Sequence, residues 1–351
     1  LPPPHAAAPF RPGSPGLLDG SQRPGYDRDL FERALSLGLS SSGRTLSQRM
    51  PRYTFPPEAI DDLWATLARL YQDAREGVTA DQLVFAVYAP KGHEQQARAL
   101  ASRLQAALAE RPPRFGFIFD VRPEVEAPGA CPGRGALALI MPYTSDPADL
   151  LDAAARCGVP VIAPLFDLVG SESPLDVRGV SASLRVQWRA LREAAGPDAM
   201  TVLPDDATVA EREALVFARI PAVTARDARA DVVIAPFGLN RLASRDGISA
   251  VYTVADGSGR SLQAWREAGV RIVLARTRGD RSATSVLASL IAVVVDLIDE
   301  ATVAAGPDPT RASFIEAFDR LRVARPDWPV LDYGKEQLTG SGAVELIVVD
   351  P

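Results

Sequence analysis

The residues able to do chemistry are few and poorly grouped. Of the two histidines, His5 lies in a Pro-rich arm and His93 at the start of a helical stretch, so neither has a zinc-ligand partner at useful spacing. His93 reads as a helix-start residue without a local orienting partner. No G-x-S-x-G elbow, H-E-x-x-H pair or G-x-x-x-x-G-K-[ST] loop occurs. Gly257 and Gly259 stand between a strand and a helix, but the third glycine of a dinucleotide fingerprint is missing. A plain turn capped by Ser261 is the better reading. Asp205 and Asp206 follow a strand; they read as an acid or metal pair or, in preference, as caps of the next helix. Cys131 and Cys157 are compatible with one disulfide in an oxidising compartment, or with two unpaired thiols, one on the inner face of a helix. The CPGRG run at Cys131 lacks the second pair that a metal site needs. Conventional catalysis is therefore not expected, and neither is a cofactor or a metal.

The elements that would position a site are easier to read. Ala136–Met141 and Pro160–Ala163 are continuous apolar runs without alternation, as in strands covered on both faces. Between them Pro147–Cys157 reads as a helix, with Ser145 and Asp146 as caps and Gly158 as its end. Both strands of this βαβ unit deliver their loops to one edge of the sheet, the edge where parallel α/β proteins bind ligands. The same rhythm extends from 83–90 through helix Glu94–Glu110 and strand 115–121. It restarts with helix Ser181–Ala195, strand 199–204, helix Thr208–Arg219, strands 231–236 and 249–254, helix Ser261–Ala268 and strand 270–275. Strands end directly at Pro90, Pro142, Pro164, Pro204 and Pro236, where a residue without an N–H stops ladder pairing. Helices Ser282–Ala305 and Pro309–Val323 and a terminal strand complete the chain. The expected class is α/β, in two Rossmann-like lobes with parallel sheets.

Residues 1–25 show no period and read as an arm, while Asp27–Leu37 and Glu58–Glu76 read as helices. The chain starts without methionine, which fits an exported protein that has lost its signal. At 351 residues it suits two domains, and a net charge of −6 argues against nucleic acid as a partner. Val286–Ile298 is too short to span a bilayer of ~30 Å, so no direct membrane span is expected.

Several segments together resemble the type I periplasmic binding proteins, specifically the branched-chain amino-acid (leucine-binding) receptor family of ABC transporters. They are GVPVIAP (158–164), QWRALREAAGPDAMTVLPDD (187–206), the apolar helix 282–305, FIEAFDRL (314–321) and LDYGKEQLTGSGAVELIVVD (331–350). The resemblance covers roughly 83–351. It implies a Venus flytrap: an N-terminal arm and helical extension (1–82), lobe 1 (83–180, completed by about 276–327) and lobe 2 (181–275, completed by about 328–351). The lobes would join at a hinge and close on a ligand. Carried over loop by loop, the ligand-binding positions are Tyr143, Thr144, Ser145, Phe166 and Asp167 on one side, and Asp205, Phe237 and Tyr252 on the other. Tyr143, Thr144 and Ser145 stand where the family has a small-hydroxyl pair. The implied role is an extracytoplasmic, periplasmic solute-binding protein that delivers a small polar or amphipathic ligand to a membrane permease. The alternative is a non-transport ligand-sensing or regulatory module acting through a protein partner.

Overall fold

The structure is a computed structural model. It describes residues 26–351 apart from 128, 145, 167, 169–175, 206, 208–211, 213–214, 217–218, 225–229, 237–238, 240–241, 243–246, 255–258, 278–285, 327 and 335–338. The chain begins with α1 (Arg28–Ser36), whose N-cap Asp27 accepts from the backbone N–H of Leu30, and α2 (Pro57–Ala74), which has proline in its first turn. Phe31 on α1 packs against Trp64 on α2 at 5.6 Å between ring centroids. The far end of α2 is fastened to the main body: the Tyr71 hydroxyl donates to Asp308 at 2.6 Å, and Arg75 pairs with the same carboxylate at 3.1 Å.

The first sheet follows at once. Its strands are β1 (Gln82–Ala89), β2 (Ile118–Val125), β3 (Ala138–Ile140), β4 (Val161–Ile162) and β5 (Val177–Arg178), in the order β2-β1-β3-β4-β5, all parallel. Helix α3 (Glu94–Ala109) links β1 to β2, and α4 (Pro147–Arg156) links β3 to β4. The apolar runs are explained by burial on both faces. Leu83, Phe85 and Val87 of β1 point into one core, and the intervening Val84 and Ala86 point into another that includes Leu150 and Leu151 of α4. The first core is filled from the far end of the chain, by Val293, Val294 and Leu297 of one late helix and Phe314 and Phe318 of the next.

The second sheet repeats the plan. After α5 (Leu184–Ala195) come β6 (Met200–Leu203), β7 (Val223–Thr224), β8 (Val232–Ala235), β9 (Ala250–Val254), α6 (Gly259–Glu267) and β10 (Arg271–Thr277). The order is β13-β10-β9-β8-β6-β7, with the last strand of the chain, β13 (Val344–Val349), antiparallel to β10. In both sheets the second strand lies on one side of the first and the later strands lie on the other. Between β10 and β13 the chain returns to the first sheet as α7 (Val286–Ala305) and α8 (Arg311–Phe318), then makes a separate antiparallel pair, β11 (Arg322–Arg325) and β12 (Trp328–Asp332).

Two expectations are corrected. The strand expected over 115–121 begins at Ile118, because Phe115 and Gly116 both take positive φ (51° and 86°) in a tight turn closed between Arg114 and Phe117. The helix expected over 309–323 ends at Phe318; Arg322 to Arg325 are drawn into pairing with β12, which outweighs their helical pattern. The terminal strand is antiparallel in an otherwise parallel sheet. The helix expected over 208–219 lies largely outside the described residues.

Candidate functional site

The strand order points to a candidate site. With order β2-β1-β3-β4-β5, the connections from β1 and β3 leave in opposite directions, and a crevice opens beyond their C-terminal ends. Two local features shape that crest. Met141 and Ala163, each just before a proline, adopt left-handed backbone (φ 47° and 51°) although neither is glycine and both are fully buried. Such conformations are held only where packing over-determines them, at a cost of order 1–3 kcal/mol each. Here they let each residue keep its ladder bond while the chain turns out of the sheet: Met141 N–H donates to Ile162 and Ala163 N–H to Arg178. Beyond the turns, Tyr143 N–H reaches back to the Tyr88 carbonyl at 2.9 Å and Leu165 N–H to the Pro142 carbonyl at 2.9 Å.

Tyr143 is thereby held over the end of β1, the residue 41% exposed. Its ring lies 5.3 Å from that of His93, the residue at the N-cap position of α3. His93 is thus a crest residue as well as a helix start, and Tyr143 is the orienting neighbour that no local spacing in the sequence revealed. Its Nδ1 is buried and has no hydrogen-bond partner among the described residues. The adjacent Glu94 carboxylate is occupied, accepting the N–H of Gly92 at 3.0 Å. Beneath them Tyr88 is half-buried, and burial, reinforced by Glu126, Glu124 and Asp149, pushes its phenol up to about 12, so it stays a protonated donor.

The other sequence-based candidates are distributed as follows. The Thr144 hydroxyl accepts the N–H of Asp146 at 3.1 Å, and Asp146 in turn caps α4, so this hydroxyl serves the start of the helix. Phe166 packs against the α4-side core together with Tyr88. Asp205 is exposed in the turn just after β6, at the corresponding crevice of the second sheet. There the indole N–H of Trp188 donates to the Pro236 carbonyl at 3.0 Å. Tyr252 lies within β9, packed against the core around Trp188. Ser145, Asp167 and Phe237 lie outside the described residues. Among the described residues no group of three or more His, Cys, Asp or Glu could hold a metal, and no helix is long and apolar enough to cross a membrane.

A pocket of about 280 Å³ lies at the opposite edge of the first sheet, lined by Glu76, Arg134, Cys131, Cys157 and neighbours. It is a feature of the edge where β1 and β3 begin rather than of the strand ends that bind ligands in this architecture. Cys131 and Cys157 are joined there as a disulfide. Nearby, burial pushes the Glu124 carboxyl above its ordinary range, opposed by the Gly133 N–H at 2.9 Å. A carboxyl held more tightly protonated in the folded state makes stability fall as pH rises through its folded pKa. Glu124→Gln keeps the acceptor for Gly133. It should raise stability at neutral pH and flatten the decline above the ordinary glutamate value of about 4.3. Urea midpoints measured across that range decide it; an unchanged profile would contradict the assignment.

No family model and no curated protein matches this chain by sequence. Solved structures do resemble it. A substrate-binding periplasmic protein from Ralstonia solanacearum superposes with a TM-score of 0.54 at 15% identity, covering 77% of this chain and 100% of its own. A fatty acid ABC transporter substrate-binding protein from Thermomonospora curvata gives 0.54 at 11% identity, covering 79% and 90%. The leucine-binding protein LivK from Thermotoga maritima gives 0.51 at 14% identity, covering 77% and 99%. All three are named as binding proteins, the second of an ABC transporter, and at such identities the likeness is one of architecture. The repeated strand order and these structural neighbours together establish that the chain has the type I periplasmic-binding-protein fold.

Proposed function

We propose that this protein is an extracytoplasmic solute-binding protein. It encloses a small polar or amphipathic ligand between lobe 1 (83–180 with about 276–327) and lobe 2 (181–275 with about 328–351) and delivers it to an ABC-type permease. The observation that carries the reading is the crest at the β1/β3 crevice, where Tyr143 and His93 form an aromatic wall with hydrogen-bonding edges. Aromatic faces with a few polar tips suit a small molecule that has both an apolar and a polar part. Ser145, Asp167, Asp205, Phe237 and Tyr252 complete the proposed contact set. The fold's solved relatives, named for leucine and for a fatty acid, support the solute-binding role. The alternative is a sensing module with a protein partner. It draws on the exposed Leu37, Tyr53, Phe55 and Leu70 of the N-terminal extension.

A thermal-shift screen of the full chain against amino acids, aromatic acids, fatty acids, amides, polyols and nucleosides tests the proposal. A ligand specific for the folded state, at roughly 100 times its dissociation constant, adds ~2.7 kcal/mol of stability. A hit is the expected result. Silence across these classes would shift the weight to the partner-dependent reading.

A further inference from the structure

We infer that the Cys131–Cys157 disulfide is a site of thiol–disulfide exchange with small anionic thiols. Three observations converge on it. The first is access. Cys131 is exposed, and the disulfide borders the pocket of about 280 Å³, large enough for a small thiol and too small for the folded active site of a protein reductant.

The second is charge. Glu76 also lines the pocket, but its two oxygens are taken by the N–H of Gly135 at 2.7 Å and by Arg311 at 2.9 Å. Arg134 lines the same pocket and has no ion-pair partner among the described residues. Of these two charged residues lining the pocket, the unpaired one is therefore positive, which concentrates an anionic thiol and favours the thiolate that attacks.

The third is redundancy. The loop that carries Cys131 is tied down without the covalent bond. Arg311 holds the carbonyls of Gly133, Ala136 and Cys157, Glu124 holds the Gly133 N–H, and Glu76 holds the Gly135 N–H. The disulfide can therefore open while its surroundings stay folded.

In the exchange, an incoming thiolate attacks Sγ of Cys131. The Sγ–Sγ bond breaks as the new disulfide forms, and Cys157 leaves as a thiolate that takes a proton from water. One disulfide replaces another, with no net oxidation. A second small thiol releases Cys131 and departs as the symmetric disulfide.

The full chain is incubated, folded, with reduced glutathione and separately with cysteamine, a thiol of opposite charge. Adducts are read by peptide mass after alkylation, and circular dichroism reports the fold of the product. Cys131 should acquire glutathione in the native protein, with native dichroism retained. Glutathione should react faster than cysteamine once each rate is corrected for its thiolate fraction. Arg134→Gln, at an exposed position, should cut that preference by about threefold or more, the size of a single charge acting across a solvated pocket. Modification only at denaturant concentrations that unfold the chain would overturn the proposal. So would a glutathione preference that Arg134→Gln leaves unchanged.

Discussion

Arg311→Ala is expected to destabilise the protein by ~3–5 kcal/mol, the range seen when one member of a buried charged network is removed. Arg311 occupies the first position of α8, behind a Thr310–Ser313 capping box, and its side chain is only 10% exposed. From there it donates to the Ala136 carbonyl at 2.6 Å and 3.1 Å, to Gly133 at 3.2 Å and to Cys157 at 3.4 Å, and it pairs with Glu76 at 2.9 Å. Burial pulls its pKa down and Glu76 pulls it back up, so the guanidinium is a desolvated cation whose charge is matched by a single carboxylate. Truncation would strand that carboxylate and three carbonyls together, and it would release α2, α4 and the start of β3 from one another. Lysine is a poor substitute because a point charge cannot reach carbonyls on several sides at once. Urea unfolding monitored by circular dichroism gives the number. A loss below about 1 kcal/mol, the worth of an ordinary exposed pair, would show that the network is incidental.

The second large effect concerns binding rather than stability. Tyr143→Ala should weaken the best ligand from the thermal-shift screen at least tenfold, about 1.4 kcal/mol, while moving the ligand-free melting temperature little. The two outcomes separate because the ring is partly exposed at the crest and packs against His93, whereas the backbone that presents it is held independently by the N–H bond to Tyr88. A ring contact of this type contributes about 0.5–1.5 kcal/mol beyond area burial, and loss of the hydroxyl adds to that. Tyr143→Phe should recover the part that belongs to the ring. Isothermal titration on the three proteins measures it; full affinity in Tyr143→Ala would remove this crest from the site and leave the second sheet's crevice, at Asp205, as the next position to test.

The crest itself was legible in the primary structure and its composition only partly so. Apolar runs ending at Pro90, Pro142, Pro164, Pro204 and Pro236 marked where each strand leaves its sheet, and those ends match β1, β3, β4, β6 and β8. Tyr143 is a candidate because the family resemblance, carried over loop by loop, falls on the residue just after such an end. His93 reads from the sequence only as a helix start, because the ring beside it is fifty residues away in the chain, across β2 and β3, and local spacing carries no information about that neighbour. Tyr252 precedes a strand end by two residues, and its partly buried side chain packs against the core around Trp188, a placement that only the folded chain shows.

Taken by itself, the amino-acid sequence determined what local physics controls. Continuous apolar runs require sheets buried on both faces, prolines and glycines set where strands and helices stop, and the alternation of the two imposes parallel pairing. Only the tertiary structure decided the partners. The antiparallel placement of β13, the pairing of β11 with β12, and the packing of α7 and α8 against the first sheet join segments far apart in the chain. So does the link from Arg311 to Ala136, 175 residues earlier. The reason is that periodicity records whether a residue is buried, while the choice of what it is buried against is made by complementary shape and charge once the chain is folded.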